Sequence, residues 1–386
     1  MAGPATVSAD LAFVRPEEVH PHPTRPGALQ ARAHSRAYGP LPPETFAPQR
    51  CRLHDCSADP NNPPSLRTQG FAHLNLSPLT GLATLLADLR AGARLDEDKI
   101  TRIRKLLRGV SFPLADGSSL RVLYVAPEGL FMRRAGPNGM AVERRGPAGE
   151  AIGLDDHDAA DLIHADQDVD GTPLRQIMRG LAPRLLRHES PTHDNRRSPL
   201  ILVNIWIALD QVTRPLALMD KASLDRPRQQ VCYGLPTEGI LERSGDRQVN
   251  DIWTFLHDPS QRWYFSSELE ADRAYVFETL GTPHGSCTLP GEALAEARYR
   301  RLRSLLEGSE AAEAASDPLL QVTPDDEAVP QSLRRAIAAM DRAITSHPVG
   351  SASTETRRAW IEQAEAAMSR VIRKSIEMRA LAWLSP

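Results

Sequence analysis

Ten consecutive residues, Leu200 to Leu209 (LILVNIWIAL), are apolar apart from Asn204. The run is about half the length a membrane-spanning helix requires, and it reads as a strand buried on both faces. Further strand-length pieces punctuated by Gly and Pro lie at Leu120–Val125, Gly139–Glu143, Asp161–Asp166, Pro215–Asp220, Trp263–Phe265 and Ala274–Thr279, and the chain ends in another, Ser375–Leu384. Many short strands, few of them joined by helices, predict a mainly β fold with some α, an antiparallel sandwich or barrel rather than a Rossmann sheet. No G-x-G-x-x-G or P-loop pattern is present.

The rest of the chain is uneven. Twelve of the 32 prolines fall within the first 64 residues, so 1–64 reads as a Pro-rich arm, extended over the domain or partly disordered. Residues 65–386 then form one domain. Ser77 to Leu107 has helical spacing, with Leu79, Leu82, Leu85, Leu86, Leu89, Ile100, Ile103 and Leu107 repeating. Past Pro290 the pattern is helical again: Leu294–Leu306, then Leu333, Ile337, Met340 and Ile344, then Trp360, Ala364, Met368 and Ile372. This insertion, about 292–372, is expected beside the mouth of the barrel as a lid, with a homodimer contact through the same C-terminal helices as the alternative.

Charge narrows the function classes. The chain has 46 Lys and Arg against 49 Asp and Glu, with no basic cluster for nucleic acid or an anionic membrane, so a small-molecule substrate is expected. The N-terminal stretch has no apolar leader, and four cysteines in 386 residues suggest no disulfide framework, so the protein reads as cytoplasmic.

The sharpest chemical feature is His164-Ala165-Asp166 in DLIHADQD. On a strand, residues i and i+2 point to one face, which delivers an imidazole and a carboxylate side by side. A facial triad needs that pair plus one distant ligand, and leaves other positions open. The candidate third ligand is His284, flanked by Pro283 and Gly285 as at a strand edge approached closely by other backbone. The competing reading is a solvated surface turn, supported by the nearby Asp168 and Asp170.

Other groups read as weaker. His188 and His193 lie in a polar loop and are assigned to the surface. His157 and Asp158 are adjacent, so their side chains would diverge on a strand. Cys51, His54 and Cys56 lack a fourth zinc ligand. Asn204 must be hydrogen-bonded if buried, whether to a co-substrate or within the sheet. Trp206, Trp263, Tyr264 and Phe265 read mostly as core. Arg373-Lys374-Ser375, with Glu377 and Arg379 on the same face, has the spacing to hold an anion by a guanidinium fork and a hydroxyl. Arg373 equally fits a helix C-terminal cation.

With these in order, the chain resembles the iron/2-oxoglutarate dioxygenases grouped with the cephamycin methoxylation hydroxylase and the fungal gibberellin-desaturase-like proteins. The resemblance is carried by LRTQGFAHL (66–74), IHADQD (163–168), LVNIWIALDQVTRPLALMDKASL (202–224), QRWYFSSEL (261–269), AYVFETLGTPH (274–284) and RKSIEMRALAW (373–383). It implies a double-stranded β-helix (jelly roll), with iron(II) on His164, Asp166 and His284. It also implies 2-oxoglutarate and oxygen as co-substrates, with the 2-oxoglutarate anchored by Arg373 and Ser375, or by Arg379. The chain departs from the family in Ile207 after Trp206, in Gly285-Ser286 after the distal His, and in the 89 residues between His284 and Arg373.

The expectation is a hydroxylase or desaturase of a small natural-product intermediate. The alternatives are a jelly-roll metal enzyme that does not use 2-oxoglutarate, such as an oxidase or isomerase, and a non-catalytic binding module.

Overall fold

The structure, a computed structural model, describes residues 5–31, 46–140, 160–210, 212–236, 249–269, 272–308, 316–325, 328–348 and 353–386. Two sheets dominate it. The larger has ten strands in the order β1 (Thr6–Val14), β4 (Phe46–Asp55), β13 (Trp263–Phe265), β10 (Leu216–Met219), β15 (His284–Ser286), β8 (His164–Ala165), β12 (Val249–Phe255), β11 (Gln230–Pro236), β3 (Leu29–Gln30) and β2 (His20–Pro21). The smaller has six: β5 (Phe71–Asn75), β14 (Arg273–Glu278), β9 (Leu200–Asp210), β16 (Arg373–Ser385), β7 (Ser119–Ala135) and β6 (Ser111–Pro113). All pairings are antiparallel except β4 with β13 and β3 with β11. The fold is thus mixed β with α, as the strand-rich sequence predicts.

The apolar run of β9 resolves into two faces. Its odd residues Ile201, Val203, Ile205, Ile207 and Leu209 pack with Leu82, Leu86, Ile103 and Leu107 of the helices Thr80–Arg90 and Glu97–Leu107. Full burial of such side chains stabilises by roughly 1.5–3 kcal/mol each. The even residues turn inward, toward the larger sheet: Trp206 and Ala208 cluster with Phe71, Tyr275 and Phe277 of their own sheet and with Leu216 and Leu218 of β10. The two sheets therefore face each other across an aromatic layer.

A second helical layer covers the outer face of the larger sheet. Val7, Ala9, Leu11, Phe13, Leu53, Ile163, Ala165 and Trp263 pack against Leu302, Leu333, Ile337, Met340 and Trp360 of the helices Glu292–Leu306, Gln331–Thr345 and Thr354–Ser369. This corrects the expectation of a lid at the barrel mouth. The apolar stripes meet the sheet face opposite the inward-pointing histidines, because alternate residues of β8 point to opposite sides. The stripes expected to form a homodimer contact are buried within the chain itself: Leu333, Ile337 and Met340 are all fully enclosed.

Other expectations shift. The first 64 residues supply β1–β4 to the larger sheet, and β1 pairs with β4 along its whole length. The helical spacing of Ser77–Leu107 resolves into two helices, Thr80–Arg90 and Glu97–Leu107. Of the strand expected at Gly139–Glu143, Gly139 closes a 3-10 turn (Pro137–Gly139), and 141–143 lie outside the described residues, as do His157 and Asp158.

Candidate metal centre

His164 and His284 lie directly opposite each other on neighbouring antiparallel strands, β8 and β15, with ring centroids 4.4 Å apart. Such close pairing needs Gly285: a Cβ there would stand 2.9 Å from Ile163 Cδ1 and from the Leu162 carbonyl oxygen. Each ring is fixed from behind. His164 Nδ1 donates to the Leu162 carbonyl at 2.7 Å, and His284 Nδ1 to the Thr282 carbonyl at 3.0 Å. A carbonyl can only accept, so each Nδ1 carries a proton and Nε2 is the atom left to ligate a metal.

Both Nε2 atoms point toward the carboxylate of Asp166: His164 Nε2 is 3.9 Å from Oδ1, and His284 Nε2 is 3.4 Å from Oδ2. One ligating atom from each of the three residues lies within 4.8 Å of the other two, and among the described residues this is the sole His/Cys/Asp/Glu group arranged for a metal ion. Cys51, His54 and Cys56 do not converge in this way.

The electrostatics suit a cation. Burial, then the neighbouring His284, pushes His164 down to about 4, so it is a neutral donor near pH 7. Burial alone would raise the Asp166 carboxyl, but the Arg379 guanidinium, the two imidazoles and the Asn204 amide together hold it well below its usual range. Arg379 Nη2 donates to Asp166 Oδ1 at 2.7 Å, and Asn204 Nδ2 donates to Oδ2. The Asn204 carbonyl accepts from Thr279 Oγ1 at 3.0 Å. Two imidazoles and one ionised carboxylate, each oriented by an outer partner, fit a divalent metal with open positions.

Arg379, an alternative co-substrate anchor in the sequence reading, and Asn204, read there as a co-substrate contact or a structural amide, both bond to Asp166. Arg373 remains. It is fully buried, and its Nη1 donates to the Arg214 carbonyl at 2.9 Å and to Ser286 Oγ at 2.8 Å, with Ser375 Oγ 3.5 Å from Nη2. Among the described residues it has no carboxylate partner. Burial, then the nearby Arg133 and Arg214, lowers it to about 9. Its guanidinium stacks 5.2 Å from the Trp206 ring, and both Arg373 Nε and Trp206 Nε1 are buried donors without an acceptor.

These groups share one cavity with the imidazoles, together with Phe277, Arg133 and Glu377. The cavity is narrow, about 10 Å³, and it is bounded by an ion pair between Arg133 Nε and Glu377 Oε2 at 2.9 Å. A larger cavity of about 460 Å³, lined by Cys56, His73, Ser266 and Arg273, includes none of the metal-binding trio.

Sequence reading missed Ser286 as a partner of Arg373. The signal was present, since it stands two residues after His284 and so faces the same side of β15. His188, assigned to the surface, is buried, with Nδ1 against the Leu186 carbonyl at 3.0 Å.

Residues 140–294 match the family described as "Oxidoreductase/YMDC permease-like domain", less than half of the chain. No curated protein matches in sequence. Among solved structures, the iron and alpha-ketoglutarate-dependent endoperoxidase NvfI aligns with 98% of this chain and 98% of its own, at 14% identity and a TM-score of 0.45. A tryptophan-to-phenylalanine variant of that enzyme aligns over 100% of both chains at 13% identity with a TM-score of 0.47. At that degree of likeness, the chemistry of this chain has to be argued from the site itself.

Proposed function

We propose that this chain is an iron(II)- and 2-oxoglutarate-dependent oxygenase of the jelly-roll kind, a hydroxylase or desaturase of a small natural-product intermediate. One observation carries the reading: Arg373, a fully buried guanidinium with no carboxylate in ion-pair contact among the described residues, lines the same cavity as the imidazoles of a His-Asp-His trio. Burying an unpaired charge is costly, so a counter-ion is expected from a ligand. A 2-oxo diacid meets both demands, with one end for a metal and a far carboxylate for Arg373.

His164, Asp166 and His284 would hold the iron. When bound, iron(II) with 2-oxoglutarate and oxygen supplies an oxidant for unactivated carbon. The chain's own contribution is placement. Asn204 and Arg379 keep Asp166 ionised and aimed, and the Leu162 and Thr282 carbonyls fix the imidazole tautomers. Ser286 and the Arg214 carbonyl orient Arg373, while Trp206 Nε1 and Arg373 Nε offer two further donors. A cavity of about 10 Å³ is smaller than a five-carbon diacid, so its lining would have to shift to admit one.

The test is anaerobic addition of iron(II) and then 2-oxoglutarate. A weak visible charge-transfer band supports the proposal. Stoichiometric metal without the band means an oxidase or isomerase, and no stoichiometric metal means a binding module.

A further inference from the structure

The chain's near-neutral total charge conceals a local concentration. Of the seven large apolar side chains left exposed among the described residues, four belong to the helical flap 172–187 and the end of β16 beside it: Ile177, Leu181, Leu185 and Trp383. Strand register fixes their relation to the metal centre. On β9 and β16 the inward-facing partners run Asn204 with Arg379, then Leu202 with Leu381, then Leu200 with Trp383. Each step of two residues advances about 6.6 Å, so Trp383 stands roughly 13 Å beyond the residues that hold Asp166. Tyr124 is opposite Leu381 on β7.

The helical flap 172–187 adjoins this ladder. Leu174, Ala182 and Leu186 pack on Leu200, Leu202 and Leu381, and Ser198 Oγ bridges the carbonyls of Leu185 and Leu200 at 2.6 and 3.4 Å. Left-handed Arg179 and Gly180 break the flap into two short helices, Thr172–Ile177 and Ala182–Leu185. The break leaves Ile177, Leu181 and Leu185 outside the core, 65%, 50% and 45% exposed.

The flap also contains four arginines and no acidic residue. Arg175, Arg179 and Arg184 are exposed and make no ion pair among the described residues, and neither does Arg121, the β7 partner of Trp383. The nearby carboxylates Asp170 and Asp194 are already paired, with His193 and Arg196.

We infer that this end of the molecule docks on an anionic lipid surface. Exposed aliphatic side chains among these arginines, edged by a Trp, match the chemistry of the interfacial zone of a bilayer. No helix of the described residues is long and apolar enough to span a membrane, so the contact is peripheral. It would set the flap and the end of β16 against the bilayer, and it stands whether or not the metal site binds iron.

The experiment is co-sedimentation of the full-length protein with phosphatidylcholine vesicles, with and without about one-third phosphatidylserine. Two variants are compared: Ile177→Ser/Leu181→Ser/Leu185→Ser and Arg175→Gln/Arg179→Gln/Arg184→Gln. Circular dichroism and a thermal melt matching the parent report that each is folded. The protein is expected to sediment with the anionic vesicles only, less so in high salt, and each variant to lose roughly tenfold or more in affinity. The inference is overturned if the parent stays in the supernatant at low salt, or if folded variants bind as it does. A dimer that the serine variant converts to monomer also overturns it, because the patch would then be a contact between copies.

Discussion

Arg379 donates to Asp166 Oδ1 at 2.7 Å, so the cation that sequence offered as an alternative co-substrate anchor serves the metal ligand instead. Burial opposes ionisation of Asp166, and Arg379 is the first of the groups that outweigh it. Arg379→Gln should therefore weaken cobalt(II) binding about tenfold or more, with the loss deepening as pH falls and protons compete for the carboxylate. Titration of cobalt(II) at two pH values checks this. Equal affinity in parent and variant would remove Arg379 from the site.

Arg373→Met should separate the two binding events. Losing a charged donor typically costs about 1.5–3 kcal/mol, roughly tenfold or more in affinity. That loss should fall on 2-oxoglutarate, measured by calorimetry with cobalt(II) in place, while metal affinity stays near that of the parent.

Glu377 puts a second carboxylate in the cavity that is proposed to receive a dianion. Glu377→Gln removes that like charge, so 2-oxoglutarate should bind several-fold more tightly. The same calorimetric titration reads it, and weaker binding would mean that the Arg133–Glu377 pair shapes the subsite rather than obstructs it.

Gly285→Val should disturb the centre through packing alone. The new side chain would press on Ile163 and on the Leu162 carbonyl that fixes His164. A destabilisation of about 1–3 kcal/mol is expected, together with weaker cobalt(II) binding. Met340→Ala, behind the sheet, should cost about 2–5 kcal/mol and leave cobalt(II) affinity unchanged. Denaturant melts and metal titrations of the pair distinguish a local effect from a global one.

Acid should attack a different cluster. Burial tends to raise Glu189, but Lys221 and then Arg226 dominate and bring it from 4.5 down to about 2. A carboxylate depressed in the native state stabilises above its unfolded value and loses that contribution as pH falls from about 4.5 to about 2. Lys221 also bonds Glu278 at 2.9 Å. Lys221→Met should therefore shift the acid-unfolding midpoint to higher pH, as followed by circular dichroism.

Local periodicity made part of this legible. The i, i+2 spacing of His164 and Asp166 and the continuous apolar run of β9 are properties of short segments, and Trp263–Phe265 is a strand at the bounds expected. The inclusion of β1 and β4 was masked by proline content, although Val7, Ala9, Leu11 and Phe13 alternate as a strand should. Their pairing joins residues some forty positions apart, which no local pattern reports. The same holds for Arg379: its spacing gave its face of β16, and only the register against Asn204 showed that it meets Asp166. The helical layer was readable as amphipathic, but which surface its stripes would cover was not.

β9 carries the helix-side core on its odd residues and the site on its even ones. Substitution and insertion should therefore meet opposite tolerances there. Positions 204 and 206 answer to the site while 201 and 203 answer to the helix-side core, because the two sets face opposite sides of the sheet. A single inserted residue, by contrast, would send aliphatic groups toward the metal and an amide into the hydrocarbon layer. Lineages of such a chain would be expected to diversify their chemistry by point changes on this strand and to confine length variation to the loops.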